Sequence, residues 1–284
     1  MERIRKISRL IVGAKTSDGA GVSLLRVFGF HETGLLDPFL LLDFFGSENP
    51  DDYIAGFPWH PHRGIETVTY MLDGSVEHGD SLGNSGVIHA GDIQWMTAGS
   101  GIIHQEMPKA AEGGMHGFQL WVNLPASHKM MKPRYQEIKA EDVPVVKDEY
   151  GIITKVIAGE FNSVRGPVKD IIADPVYFDI SLPENTEYTV AVNPDYTVFA
   201  FVFEGEGFFD ESYERAIKKG QLVKLTEGDA VKVTTKEHNT RFILVSGKPL
   251  NEPVAWRGPI VMNTDEELDL AFREYRSGTF IKQD

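Results

Sequence analysis

Short runs of alternating apolar and polar residues, cut by Gly, Pro and Asp, dominate this chain. Phe118, Leu120, Val122 and Leu124 alternate with Gln119, Trp121 and Asn123 until Pro125 ends the run. Successive side chains of a strand face opposite sides, so this stretch reads as a strand with one apolar face. Val198, Ala200 and Val202 alternate with Phe199, Phe201 and Phe203. Both of its faces are apolar, as a strand buried on two sides of a sandwich or barrel requires. Turn signals recur at Asp73-Gly74, Gly91-Asp92, Glu204-Gly205 and Gly228-Asp229. The pattern predicts an all-β protein.

The turns also predict an internal duplication. Tyr70 to Gly74, Gly91 to Trp95 and Phe118 to Val122 follow one another in the first half. Val202 to Gly205, Gly228 to Val233 and Arg241 to Val245 repeat that order in the second. The charged stretch Lys139 to Tyr150, with Pro144 inside it, is the natural linker. Two domains follow, 1–138 and 139–284, in line with a length of 284 residues. One helix is predicted near the end. Thr264 and Glu267 form a capping box, Leu268, Ala271, Phe272 and Tyr275 recur at helical spacing, and Gly278 ends the run. Its apolar stripe needs a surface to dock on, and the opposite domain is the expected one.

Composition narrows the chemistry. With 28 Lys+Arg against 42 Asp+Glu the net charge is -14, which disfavours direct contact with phosphate backbones. There is no cysteine, which excludes disulfides, thiolate metal sites and Cys nucleophiles. Any metal must sit on His, Asp or Glu. The apolar part of MERIRKISRLIVGA is too short for a signal-peptide core, and no run approaches the roughly 20 apolar residues of a membrane span. A cytoplasmic location is expected, or a nuclear one in a eukaryote. No dinucleotide-binding or P-loop glycine motif is present.

Trp59-His60-Pro61-His62-Arg63-Gly64-Ile65-Glu66 is the segment that carries chemistry. His60 and His62, two apart on a strand, face one side, and Glu66 shares their parity. Pro61 places the pair at a strand start or a sheet edge. About forty residues on, His104 and Glu106 repeat the spacing. Two such strands can aim three imidazoles and a carboxylate at one divalent ion, leaving positions open for substrate or dioxygen. Iron(II), manganese, nickel, copper, cobalt and zinc all accept that ligand set, and either Glu66 or Glu106 satisfies the spacing.

These residues carry a resemblance. His60-x-His62-x3-Glu66, Gly74, Gly91-Asp92 and His104 resemble the two motifs of the cupin superfamily. Phe57 to Tyr70, Gly91 to Pro108, Gln119 to Pro125 and Thr264 to Phe280 resemble the pirin family in particular, over nearly the whole chain. The resemblance implies a bicupin of two β-barrels (double-stranded β-helices) with a short C-terminal helix. It implies iron(II) on His60, His62, His104 and Glu106, with Glu66 behind them. It implies quercetin 2,3-dioxygenase activity on a small aromatic substrate with dioxygen, Glu106 or Glu66 serving as the base. The alternative it implies is a redox-sensitive regulator that binds transcription factors or metabolic enzymes without turnover.

The remaining candidates take plainer readings. His31, His78, His89, His116 and His128 are expected to be structural or surface histidines, and His238 to lie on a solvated turn. No metal site is expected in the second half. Arg63 reads as a solvated charge. Trp59, Trp95, Met96 and Met107 read equally well as pocket lining or core.

Overall fold

The computed structural model describes residues 2–212 and 214–282. Antiparallel strands build nearly all of it, in two compact units. One unit comprises the residues up to Gly13, Leu36–Pro38 and Glu141–Pro249. The other comprises Ala14–Leu35, Phe39–Ala140 and the chain from Leu250 onward. A single boundary at 138/139 therefore does not describe the ends. Ile7–Val12 finds its ladder on Gln221–Leu225, and Ile7 and Leu10 pack on that unit's core. The terminal segment packs instead with the histidine-bearing unit, where Leu268, Ala271 and Phe280 join Ile260 and Met262 with Ile103 against them.

The duplication is visible in the sheets. In the histidine-bearing unit the order is Arg134–Ile138, Ile93–Thr97, Ile65–Asp73, Met115–Asn123, Phe39–Ser47, Val22–Phe28, Ala14–Asp18. In the other unit it is Ile7–Val12, Gln221–Leu225, Thr197–Gly207, Thr240–Gly247, Val176–Leu182, Ile153–Ala158, Val145–Lys147. Each strand of one series has its counterpart at the same place in the other. Burial follows the sequence pattern. Leu120 and Val122 are buried while Gln119 and Trp121 are half-buried, and Val198 to Phe203 are buried throughout. Part of the supposed linker is itself a strand, because Val145 and Val146 suit an extended edge and pair with Ile153–Ala158.

The second sheets differ in size. Phe57–His62, Ile102–Pro108, Ser75–Asp80 and Ser85–His89 form a four-stranded sheet in the histidine-bearing unit. Its counterpart is the pair Glu187–Ala191 and Ala230–Thr234, whose Val190, Val231 and Val233 are buried in an apolar core. Those two strands hold the places taken elsewhere by the strands of His60, His62 and His104. The helix Asp265–Ser277 forms as the sequence predicts. Thr264 and Glu267 make the capping box, and Gly278 closes it in the left-handed conformation.

Candidate metal centre

His60 and His62 lie at the end of the strand Phe57–His62, which pairs with Ile102–Pro108 so that His60 faces His104. The register slips between His104 and Glu106, which re-aims the carboxylate relative to a regular ladder. After His62 the chain turns sharply at Gly64, whose φ is +78°. A Cβ there would lie 1.9 Å from the Val261 carbonyl oxygen, so only glycine passes. The turn starts a new strand in the other sheet, and the parity linking His60 and His62 to Glu66 ends with it. Glu66 is fully buried and accepts a 2.7 Å hydrogen bond from Thr97 Oγ1. It lies outside the cavity that Glu106 lines.

The ring nitrogens define the centre. His60 Nδ1 stands 2.8 Å from the Pro58 carbonyl, and His62 Nδ1 stands 3.1 Å from that of Pro259. A carbonyl only accepts, so each Nδ1 carries the hydrogen and each Nε2 keeps a lone pair. Those two Nε2 atoms are 3.0 Å apart. Both nitrogens of His104 are buried without a hydrogen-bond partner. One ligating nitrogen from each of the three rings lies within 4.8 Å of the others. Nitrogens held at right angles on one ion at about 2.1 Å are about 3 Å apart, so the His60–His62 pair fits a shared metal.

Burial tunes these groups. It holds His62 and His104 well below the usual imidazole value, with the neighbouring imidazoles adding to the effect, so both are neutral and ready to ligate. Burial pushes the Glu106 carboxyl up, against the pull of His60, Thr69 and His78. Thr69 Oγ1 stands 3.2 Å from Glu106 Oε1. A cavity with an empty volume of about 710 Å³, its open mouth included, adjoins the centre. Leu24, Leu41, Phe45, Val76, Met115 and Trp121 give it apolar walls, and His60, His62 and Glu106 line it. Trp121 meets the His62 ring edge-on, with centroids 5.1 Å apart. Arg26, Asp43, Thr69 and Gln119 add polar groups to that mostly apolar lining.

The family described as Pirin matches residues 21–122, and that described as Pirin C-terminal cupin domain matches 177–281. The chain belongs to the pirin family. A pirin-like protein of Caulobacter vibrioides is 44% identical over 278 residues, which cover 98% of this chain and 99% of that one. The pirin of Homo sapiens is 38% identical over 276 residues, covering 96% and 93%. The crystal structure of a quercetin 2,3-dioxygenase from Acinetobacter baumannii matches with a TM-score of 0.90 at 34% identity, covering 98% of each chain. The all-β architecture of two cupin domains and one C-terminal helix is thus that of the pirins.

Sequence reasoning named His60, His62, His104 and Glu106 as metal ligands; the three histidines cluster, with one ring nitrogen of each within 4.8 Å of the others, whereas Glu106 stands outside that cluster and lines the adjoining cavity with His60 and His62. Sequence reasoning missed other parts of the site. Arg63 is not solvated: it is 2% exposed and paired with Glu274 at 2.8 Å, because the terminal segment folds over it. His78 is buried on the strand facing Glu106, its Nε2 2.6 Å from Glu137 Oε1. The signal was available, since His78 and Asp80 share the two-residue spacing of His60 and His62. Arg26, whose Nε and Nη2 bind the two oxygens of Asp43 at 2.9 and 2.7 Å, lines the cavity without any motif to mark it. Burial lifts Asp43 to about 6 despite that partner. Trp95 and Met96 are core, whereas Trp59 is exposed. His238 is exposed, as expected. Among the described residues no helix is long and apolar enough to cross a membrane.

Proposed function

We propose that this chain is a cytoplasmic metal-dependent dioxygenase, with iron(II) as its metal, that opens the heterocycle of a flavonol such as quercetin with dioxygen. The observation that carries the reading is the pair of Nε2 atoms, 3.0 Å apart, beside a mostly apolar cavity that Glu106 also lines. The likeness to a solved quercetin 2,3-dioxygenase supports the substrate class.

His60, His62 and His104 would hold the metal, with Glu106 from the adjoining cavity wall as the carboxylate. Bound there, a divalent ion supplies Lewis acidity that favours ionisation of the flavonol hydroxyl. Leu41, Phe45 and Trp121 bury the aromatic rings and keep water from them. Glu106, its pKa raised by burial, takes the hydroxyl proton as general base, beside the Thr69 hydroxyl, which stands 3.2 Å from Glu106 Oε1 and 2.8 Å from Gln119 Oε1. In the net reaction both oxygen atoms of dioxygen enter the opened ring. One ring carbon leaves with its own oxygen as carbon monoxide, so no external reductant is needed.

The test is oxygen uptake and carbon monoxide release by the metal-loaded protein with quercetin. Equimolar consumption of dioxygen and flavonol with equimolar carbon monoxide is expected. Tight metal binding without turnover would overturn the dioxygenase and leave the regulatory alternative, whose mark is a protein partner held with different affinity by iron(II) and iron(III) forms.

A further inference from the structure

We infer that the C-terminal segment is a working part of the metal centre, its Pro259 carbonyl setting the tautomer of His62 and Arg63 acting as the positioning residue that locks the segment there. The inference rests on the metal-binding reading above and concerns what makes that site competent.

The two histidines of the HxH pair obtain their Nδ1 partners from different places. His60 uses Pro58, two residues back in its own strand, whereas His62 uses Pro259, 197 positions along the chain. Only the neutral tautomer with hydrogen on Nδ1 offers Nε2 to an ion, and such outer partners orient and tune a ligating imidazole. Half of the paired ligand geometry therefore depends on where residues 255–262 lie.

That placement is heavily specified, and at the ligand's own neighbours. Arg63 Nε donates to the Ser100 carbonyl at 2.7 Å, Nη1 to Glu274 Oε2 at 2.8 Å, and Nη2 to the Phe280 carbonyl at 2.8 Å. Its guanidinium carbon also sits 4.2 Å from the centre of the Phe280 ring. Val261 N donates to the Arg63 carbonyl at 3.1 Å. Lys129 Nζ ties the Gly64 and Val261 carbonyls together at 3.0 and 3.1 Å. Residues 62, 63 and 64 are thus each fastened to the terminal segment, directly or through one amino group. A mere cover over an apolar face would not need polar bonds concentrated on the three residues that end the ligand strand. Because the bond to His62 favours the metal-binding tautomer, metal binding must in turn favour the docked segment.

Phe280→Ala and Arg63→Lys leave every ligand in place and loosen the lock. Nickel(II) affinity, measured by competition with a chelator, should fall about 10–100-fold in both. The visible spectrum of the cobalt(II)-loaded protein should change with it. Leu270→Ala, on the exposed side of the same helix, should leave both readings alone. In the unaltered full chain, nickel(II) should slow hydrogen exchange of the helix Asp265–Ser277, a measurement that stands even where the variants do not fold. Unchanged affinity in both variants, or helix exchange indifferent to nickel(II), would overturn the inference while the metal reading stood. Failure of the unaltered chain to bind nickel(II) at all would remove both.

Discussion

His60 and His62 turn their Nε2 atoms toward each other at 3.0 Å while each gives its other ring hydrogen to a proline carbonyl. A divalent ion held beside both Nε2 atoms would bind the folded chain and not the unfolded one, so it should stabilise the fold. Adding nickel(II) or zinc(II) should raise the melting temperature in proportion to the logarithm of metal concentration above Kd, and His104→Ala should abolish the rise. Melts that ignore metal would contradict this.

Acid should expose the same groups. Burial, followed by the neighbouring imidazoles, holds His62 and His104 well below 6.5. Between the folded and unfolded values the unfolded chain binds more protons, so stability rises with pH across that window. The contribution is complete above about pH 6.5 and is lost progressively below it. Thermal melts of the metal-free protein should show this acid-side loss, and His104→Leu should reduce its slope. An equal slope in that variant would count against the assignment.

The two carboxylates can be separated by isosteric change. Glu106→Gln keeps the size but removes both the base at the cavity and the proposed carboxylate ligand, so kcat should drop by about 10²–10⁴-fold. Glu66→Gln lies outside the cavity and should keep turnover within a few fold. Steady-state oxygen uptake by the two variants decides the matter, and a larger loss from Glu66→Gln would reverse the roles.

Gly64→Ala is expected to be among the more damaging small substitutions. The added methyl meets the Val261 carbonyl and φ is positive, so strain of about 1–3 kcal/mol arises before any displacement. Denaturant unfolding should show it, with weaker metal binding alongside, because His62 is two residues away.

Lys129→Met tests a buried amino group whose pKa burial lowers to about 7. Its Nζ donates to the Gly64 and Val261 carbonyls and to Asn123 Oδ1, and it is 1% exposed. The Gly64 carbonyl keeps its bond from Leu124 N, but taking this donor from the Asn123 and Val261 oxygens should cost about 2 kcal/mol in urea unfolding, even though methionine fills the space. A neutral outcome would mean that the acceptors find other partners.

Much of this was legible from residue order. The alternation at Phe118–Leu124, the doubly apolar strand at Val198–Phe203 and the capped helix at Thr264 are local patterns, and they formed as read. The repeat surfaced because its glycine turns lie at matched spacing. What stayed hidden was non-local. Strand parity suggested Glu66 as a partner of His62, but parity holds only within one strand, and the turn at Gly64 ends it. Arg63 resembled any surface arginine because its partners, Glu274 and Phe280, lie more than 200 positions away. The Pro259 carbonyl could not be read at all, since a backbone oxygen has no signature in sequence. His78 was legible and overlooked, its spacing partner being Asp80 rather than a second histidine.

The exchange of chain ends between the units bears on how the protein is made. Ile7–Val12 leaves the ribosome more than two hundred residues before its ladder partner Gln221–Leu225. The histidine-bearing unit waits longer still, for the strand Ile260–Met262 and the helix that follows. Synthesis at roughly 5–20 residues per second thus leaves the early half without its closing segment for many seconds. His60, His62 and His104 are all present in that interval, but the Pro259 carbonyl that stands 3.1 Å from His62 Nδ1 is not. Full metal affinity should therefore arise only after residues 255–262 have been made and have docked beside His62.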